Sequence, residues 1–225
     1  TRLDVALDGD RYRWISNRGI GRPGSAIILP AGEVATFPAA VEGTLVADVA
    51  FNVNTPFAGD VRLAASPVTV TVVKGRAVEM RCADRAIEGF VRRCLEMPDG
   101  NRVGELGFGT NFAITTPVAA NSHINERFPG IHLGFGQHNQ GPTVDYRSER
   151  HLDLIARGGL VWVDDQPEPL DLSALASSSL PHPDCTRDED AFAPAATLDS
   201  DCCGLDPEGT PACAIASASG SPQRH

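Results

Sequence analysis

Two segments of the sequence share a pattern that could place metal-binding side chains on one face of a sheet. They are GELGFG at residues 104–109 and IHLGFG at residues 131–136. If both segments form strands, the leucine and phenylalanine of each lie on one face. Glu105 in the first segment and His132 in the second lie on the opposite face, each with two glycines. Because glycine weakens a strand, its repetition on one face indicates that something approaches the backbone closely there.

A third segment, RHLDLI at residues 150–155, has the same polarity. His151 and Asp153 share the face opposite two leucines, with Cα atoms about 7 Å apart on a strand, and Glu33 begins another apolar stretch after a turn. Each of these residues alone is also typical of an exposed side chain, but together the acids and histidines make the donor set of a hydrolytic metal centre. The predicted ligands are Glu33, Glu105, His132, His151 and Asp153.

Further strands and one helix must position these side chains. Stretches that contain β-branched residues or alternate in polarity, and that are bounded by Gly, Pro or Asn, predict strands. They span residues 12–15, 25–29, 34–37, 44–51, 67–74 and 77–81. Asp84 is a good N-cap for a helix from residue 85 to about 97, whose apolar residues recur at helical spacing. The predicted class is α+β, a strand-rich mixed sheet or barrel-like domain with one main helix.

Composition divides the 225-residue chain into two parts. Its formal net charge is -10, and residues 167–225 hold ten acids, two bases and four of the six cysteines. That segment is rich in Ser, Ala, Pro and Asp, which predicts a mostly disordered acidic tail after a metal-binding domain at residues 1–166. The negative charge argues against a nucleic-acid partner, and the absence of an apolar run of about 18 residues argues against a membrane span. We expect a cytoplasmic protein, because the first residues show no signal-peptide pattern.

Several stretches resemble the thermophilic metalloprotease family of leucyl aminopeptidases, the aminopeptidase T and aminopeptidase S group. The resemblance covers roughly residues 13–165 and rests on RWIS, LPAGEV, GELG, NERFPGIHLGFG and HLD, which follow in the family's order. It implies the C-terminal metal-binding domain of such an enzyme, in which the five residues above would bind two divalent ions. The expected cofactors are one or two ions of Zn, Co, Mn or Fe.

The chain departs from the family in two respects. The family places a tyrosine about seven residues after the strand histidine, where this sequence has Asn139 next to His138. Tyr146 could take the place of that tyrosine and His138 could support the ligands, or both could be packed or solvent-exposed residues. The family's enzymes are also roughly twice as long and have an N-terminal α/β domain that helps to enclose the site. A homodimer or a separate subunit could supply what this chain lacks.

Three functions are consistent with these residues. The first is a metal-dependent aminopeptidase-like hydrolase of a peptide or small amide, with Tyr146 and His138 as candidate catalytic residues. The second is an inactive peptide-binding module, since truncated relatives of the family occur in the biosynthesis of ribosomal peptide natural products of the crocagin type. The third is a mononuclear iron dioxygenase on the same scaffold, with His132, His151 and Asp153 as its metal-binding triad. We favour the hydrolase and expect a peptide or small-molecule partner.

Overall fold

The computed structural model describes residues 1–17, 19 and 29–175. Within them the chain forms one α-helix, α1 (Arg85–Glu96), and twelve strands. The strands are β1 (Arg2–Ala6), β2 (Trp14–Asn17), β3 (Glu33–Thr36), β4 (Ala40–Ala47), β5 (Ala50–Val53), β6 (Val68–Val73), β7 (Arg76–Arg81), β8 (Val103–Gly109), β9 (Gly130–Gly136), β10 (His151–Arg157), β11 (Leu160–Val161) and β12 (Leu170–Asp171). Short 3₁₀ turns at His123–Arg127 and Gly141–Thr143 flank β9.

Two open antiparallel sheets account for most of the strands. The larger, which we call the site sheet, has the order β2-β3-β8-β9-β10-β5, and the smaller has the order β1-β4-β6-β7. The strand-rich α+β class with one main helix is confirmed. Where the sequence predicted a mixed or barrel-like sheet, the described strand pairs are antiparallel and both sheets are open.

The apolar faces of both sheets meet in one core. Leu133, Phe135, Leu152 and Leu154 of the site sheet are fully buried, as is Leu45 of the smaller sheet. Each buried side chain of this size stabilises the fold by about 2 kcal/mol relative to exposure. Because a one-residue slip would turn these side chains out of the core, packing fixes the register of β9 and β10 and the direction of their alternate residues.

Helix α1 forms where the N-cap and the apolar spacing predict it. The carboxylate of Asp84 accepts hydrogen bonds from the N–H groups of Ala86 and Ile87 at 2.8 and 3.1 Å. Ile87, Val91 and Cys94 lie on one buried face, so α1 packs against the core beside β7. In the described part of the chain, no helix has the length and apolarity that crossing a membrane requires.

The apolar run at residues 44–51 divides between the two sheets. β4 ends at Ala47 in the smaller sheet, and β5 begins at Ala50 in the site sheet. Between them, the carboxylate of Asp48 accepts a hydrogen bond from the N–H of Arg157 at 2.9 Å. The sequence predicted one strand here because both halves are apolar and buried, and that prediction was wrong.

The hairpin predicted at residues 67–74 and 77–81 is confirmed as β6 and β7. Lys74 and Gly75 form its turn, with φ values of 49° and 67°. Glycine adopts such values at no steric cost, which is why a Lys-Gly pair between two apolar strands is a useful turn signal.

Two predictions fall wholly or partly beyond the described residues. The strand predicted at residues 25–29 lies outside them apart from Leu29. Of the predicted tail, residues 167–175 are described; they contain β12, which pairs with β11, and the buried Leu172. Residues 176–225 lie outside the described ranges, so the disorder of the tail stays a prediction.

Candidate metal centre

The site sheet brings the five predicted ligands to four neighbouring strands. Glu33 is on β3, Glu105 on β8, His132 on β9, and His151 and Asp153 on β10. All five are buried, with no more than 4% of any residue exposed. Burying a charge costs several kcal/mol unless it is paired. Five such groups in one place therefore require compensation by each other or by a bound cation.

Glycines on the adjacent strands make room for these side chains. Each ligand lies opposite a glycine of the next strand: the pairs are Glu33–Gly109, Glu105–Gly134, His132–Gly107, His151–Gly136 and Asp153–Gly134. A Cβ atom on Gly107 would lie only 2.0 Å from Nε2 of His132, and one on Gly134 would lie 2.9 Å from Oδ1 of Asp153. The close approach predicted from the repeated glycines is confirmed, and what approaches the backbone is the centre's own side chains.

The donor atoms form two groups that share Glu105. In the first, Nε2 of His132 lies 3.1 Å from Oε1 of Glu33 and 3.3 Å from Oε1 of Glu105. In the second, Nε2 of His151 lies 3.1 Å from Oδ1 of Asp153, and Glu105 is the third member. The donor atoms within each group all lie within 4.8 Å of one another. Each group could therefore hold one ion, with one carboxylate common to both.

Neighbouring residues hold two of the ligands in place. Nδ1 of His151 lies 2.8 Å from the carbonyl oxygen of Gln137. The side-chain amide of Asn139 donates to Oε2 of Glu105 at 3.3 Å. Outer hydrogen bonds of this kind fix the orientation of metal ligands.

Glu126 and Arg127 complete the buried cluster, and sequence reasoning gave them no role. Arg127 is 0% exposed and lies 2.7 Å from Oε2 of Glu33, while it also pairs with Glu126. Glu126 is 1% exposed and accepts hydrogen bonds from Asn52 and, at 3.0 Å, from Nδ1 of His123. The signal in the sequence was the Glu-Arg pair directly before β9, but adjacent charges before a strand are usually exposed.

Electrostatic compensation is visible in the pKa values of these groups. Burial lowers the pKa of His151, but the carboxylates of Asp153 and Glu105 overcome it and raise the pKa to about 10. Burial raises the pKa of Asp153 to about 6, against the lowering effect of His151. Burial also opposes the charged forms of His132 and Glu105, yet ionic contacts between them raise the pKa of His132 well above its usual range and lower that of Glu105. The carboxylates of the cluster thus stabilise a positive charge that lies between them.

The residues present fit a divalent cation. Carboxylate and imidazole donors suit Zn, Mn, Fe and Co. Among the described residues of the cluster, one permanently charged cation, Arg127, accompanies four buried carboxylates. The carboxylates belong to Glu33, Glu105, Glu126 and Asp153. In addition, Oδ2 of Asp153 is buried with no hydrogen-bond partner in the described part of the chain. Buried polar atoms are nearly always partnered in folded proteins, so this oxygen indicates a missing partner.

The two predicted catalytic residues, His138 and Tyr146, contact each other. Nε2 of His138 donates to the carbonyl of Tyr146 at 2.8 Å, and its Nδ1 accepts from the N–H of Gln140 at 3.2 Å. Both ring nitrogens are therefore engaged, and burial lowers the pKa of His138. The guanidinium of Arg102 covers the Tyr146 ring at 4.4 Å from its centroid. In this segment the Asn139 side chain contacts Glu105 and the Gln137 carbonyl contacts His151. Catalysis by His138 or Tyr146 stays a prediction.

By sequence, residues 41–151 match the family model described as crocagin biosynthetic protein CgnE/B. The matched segment includes Glu105, His132 and His151 of the candidate centre. This is a biosynthetic family and not a protease family. No curated protein matches the chain.

By fold, the chain is similar to 2,5-dihydroxypyridine dioxygenase from Pseudomonas putida KT2440, with a TM-score of 0.50 and 19% identity over 69% of this chain. AmpT from Thermus thermophilus also matches, with a TM-score of 0.45 and 22% identity over 64% of this chain. The chain spans 46% of the dioxygenase and 38% of AmpT. An aminopeptidase T is thus found among the structural neighbours, as a weak match. The chain is therefore similar in sequence to a crocagin biosynthetic family and in fold to part of a dioxygenase.

Proposed function

We propose that this chain is a metal-dependent hydrolase of the aminopeptidase type that acts on a peptide or a small amide. The observation that carries the proposal is the pair of donor groups that share Glu105. Glu33 and His132 would hold one divalent ion, His151 and Asp153 would hold the other, and Glu105 would serve both groups. Two ions placed in this way would activate a water molecule and polarise the scissile carbonyl.

The chain's own residues determine which atoms face the ions. Because the carbonyl of Gln137 accepts a hydrogen bond from the Nδ1–H of His151, Nε2 is the nitrogen that would lose its proton to bind an ion. Arg127 contacts Oε2 of Glu33, and Oε1 of the same carboxylate faces His132. These contacts orient the ligands before any ion binds, which is the preorganisation that a metal centre requires.

The same residues are less well arranged for a mononuclear iron dioxygenase. A triad of two histidines and one carboxylate would need His132, His151 and Asp153 around one ion. In this fold His132 groups with Glu33, whereas His151 groups with Asp153. This separation favours two ions over one.

The family match favours a second candidate, a peptide-binding protein without hydrolytic activity that serves in the biosynthesis of a ribosomal peptide natural product. Its support is the match of residues 41–151 to a crocagin biosynthetic family. The contacts of His138 and Tyr146 with each other also favour it, because a hydrolase needs a residue that meets the substrate beside the ions. Under this candidate the centre holds a peptide in place and leaves it intact.

Hydrolysis of peptides by the metal-loaded full chain separates the two candidates. The chain is loaded with Zn, Mn, Co or Fe(II) and incubated with short peptides that have free amino termini, and products are followed by mass spectrometry. The hydrolase proposal predicts release of N-terminal residues by the wild type and none by Glu105→Gln. Asp4→Asn, an exposed acid on β1, is the matched control and should keep the activity. Retention of an intact peptide by the metal-loaded chain would contradict the hydrolase and support the second candidate.

A further inference from the structure

A cavity of about 210 Å³ lies outside the candidate metal centre, and we call it the basic pocket. It is bounded by the start of β4, the turn between β6 and β7, and the start of β8. Three bases, one tyrosine and two valines of its lining matter here: Lys74, Arg76, Arg102, Tyr146, Val41 and Val103. Tyr146 is thus placed at this pocket rather than among the metal ligands.

Several hydrogen-bond donors of the basic pocket have no acceptor in the described part of the chain. The hydroxyl of Tyr146 is buried without a hydrogen-bond partner, and the residue is only 7% exposed. Among the described residues, the side-chain ammonium of Lys74 and the terminal guanidinium nitrogens of Arg102 also contact no acceptor. Buried polar groups in folded proteins are nearly always hydrogen-bonded, so the Tyr146 hydroxyl indicates an acceptor from outside the described part of the chain. Lys74 is exposed and the Arg102 side chain is 32% exposed, so their donors are open to solvent and to a ligand.

The charges around the basic pocket favour an anion. Oδ1 of Asp99 lies 3.0 Å from Nε of Arg102 and 3.7 Å from a terminal nitrogen of Arg76, so two bases share one acid. Glu42 lies at the rim, where it accepts a hydrogen bond from the backbone N–H of Lys74 at 2.7 Å. Three cations against these two carboxylates leave a positive charge, although the whole chain carries -10.

Arg102 and the apolar lining of the basic pocket together favour an organic anion. The guanidinium of Arg102 lies over the ring of Tyr146, 4.4 Å from the centroid. A planar guanidinium binds a carboxylate or a phosphate through two parallel hydrogen bonds, and apolar walls favour the carboxylate of an organic molecule over inorganic phosphate. The cavity is smaller than the roughly 300–1,000 Å³ of sites for drug-sized ligands, so it suits one small group. Val41 and Val103 add apolar walls beside the charge.

We propose that the basic pocket binds a small carboxylate, either the C-terminal carboxylate of a peptide or a free organic acid, through Arg102, Lys74 and the hydroxyl of Tyr146. The proposal does not depend on the metal centre. The two sites are nevertheless close along β8, because Val103 lines the pocket and Glu105 follows two residues later. A peptide held by its C-terminus at the pocket would therefore lie beside the strand that carries the shared metal ligand.

Titration calorimetry on the full chain tests this proposal with four probes. They are a tripeptide with a free C-terminal carboxylate, the same tripeptide as its C-terminal amide, acetate, and inorganic phosphate. We expect at least one carboxylate probe to bind, and Arg102→Gln to bind it about tenfold more weakly or worse, as expected for the loss of a hydrogen bond between charged groups. Arg85→Gln removes an exposed arginine of α1 and is the matched control, which should bind like the wild type.

The probes also distinguish the two sources of the carboxylate. Binding of the tripeptide acid but not its amide, with acetate weaker, supports a peptide terminus, whereas equal binding of acetate supports a free acid. Because Arg102 also pairs with Asp99, its variant is checked for folding by circular dichroism, and Tyr146→Phe serves as a second variant that removes only a hydroxyl. The proposal is overturned if no carboxylate binds, if phosphate binds more tightly than the carboxylates, or if neither folded variant weakens binding.

Discussion

Gly134 lies between two of the candidate ligands, opposite Glu105 on β8 and Asp153 on β10. A Cβ atom there would lie 2.8 Å from Cβ of Glu105 and 2.9 Å from Oδ1 of Asp153. We therefore expect Gly134→Ala to displace these carboxylates and weaken metal binding in a metal titration. Gly9→Ala is the control, since no heavy atom lies within 4 Å of its added Cβ. Metal affinity that is unchanged in Gly134→Ala would show that the glycines do not serve the ligands.

Arg127 makes a second prediction at the level of single residues. It is fully buried and faces the carboxylates of Glu33 and Glu126. Removing one member of a buried ionic network costs about 3–5 kcal/mol, because opposite charges then stay buried without it. Arg127→Met should lower the free energy of unfolding by that amount in urea denaturation. Arg81→Met, which breaks an exposed pair with Glu79, should change it little, and equal losses in the two variants would contradict this account.

Alternation along strands explains how far the site could be predicted from sequence. His151 and Asp153 share a face because of the two-residue period, and the leucine between them anchors the other face in the core. Glu126 and Arg127 could not be assigned in this way, since they lie in a 3₁₀ turn whose direction depends on tertiary packing. The position of Tyr146 likewise depends on the loop between β9 and β10, which has no period to reveal it.

At the level of elements, the N-cap of α1 predicts a moderate change in the free energy of unfolding. Asp84 satisfies the N–H groups of Ala86 and Ile87 at the start of the helix. Asp84→Ala should lower the free energy of unfolding by about 1 kcal/mol, whereas Asp84→Asn keeps an acceptor and should cost less. Urea denaturation measures both variants. A loss in Asp84→Asn as large as in Asp84→Ala would indicate that charge, rather than capping, supports the helix.

The helix and the hairpin of β6 and β7 could be predicted because their signals are local. A cap, an apolar spacing and a Lys-Gly turn act within a few residues. The division of residues 44–51 between two sheets could not be predicted, because the partner strands of β4 and β5 lie far away in sequence. The open edges of both sheets could not be predicted either, because sheet order is set by long-range packing rather than by any single strand.

At the level of the whole molecule, bound metal should contribute to stability. A ligand that binds only the folded state at 100 times its Kd adds about 2.7 kcal/mol to the free energy of unfolding. In a domain of this size that corresponds to a rise in Tm of roughly 5–10 °C. We expect a chelator to lower the Tm of the metal-loaded wild type in calorimetry and to leave that of Glu105→Gln unchanged. Identical responses of both proteins would contradict the assignment of Glu105.

A partner chain stays a prediction at this scale. The chain spans 46% of the dioxygenase whose fold it resembles, and a homodimer or a separate subunit beside the centre stays a prediction from the family resemblance. Sedimentation of the purified chain, with and without metal, measures directly whether the chain forms a homodimer. A monomer under both conditions would leave a separate subunit as the remaining form of this prediction.

Metal content per chain is the most direct test of the central claim, which is that five buried side chains form two ion sites sharing Glu105. The full chain is produced in medium replete with Zn, Mn, Co and Fe, and its metals are counted by elemental mass spectrometry. We predict about two ions per chain for the wild type and Asp4→Asn, and loss of both ions in Glu105→Gln because its carboxylate belongs to both donor groups. A wild-type chain without metal, or a Glu105→Gln chain with the wild-type content, would contradict the account.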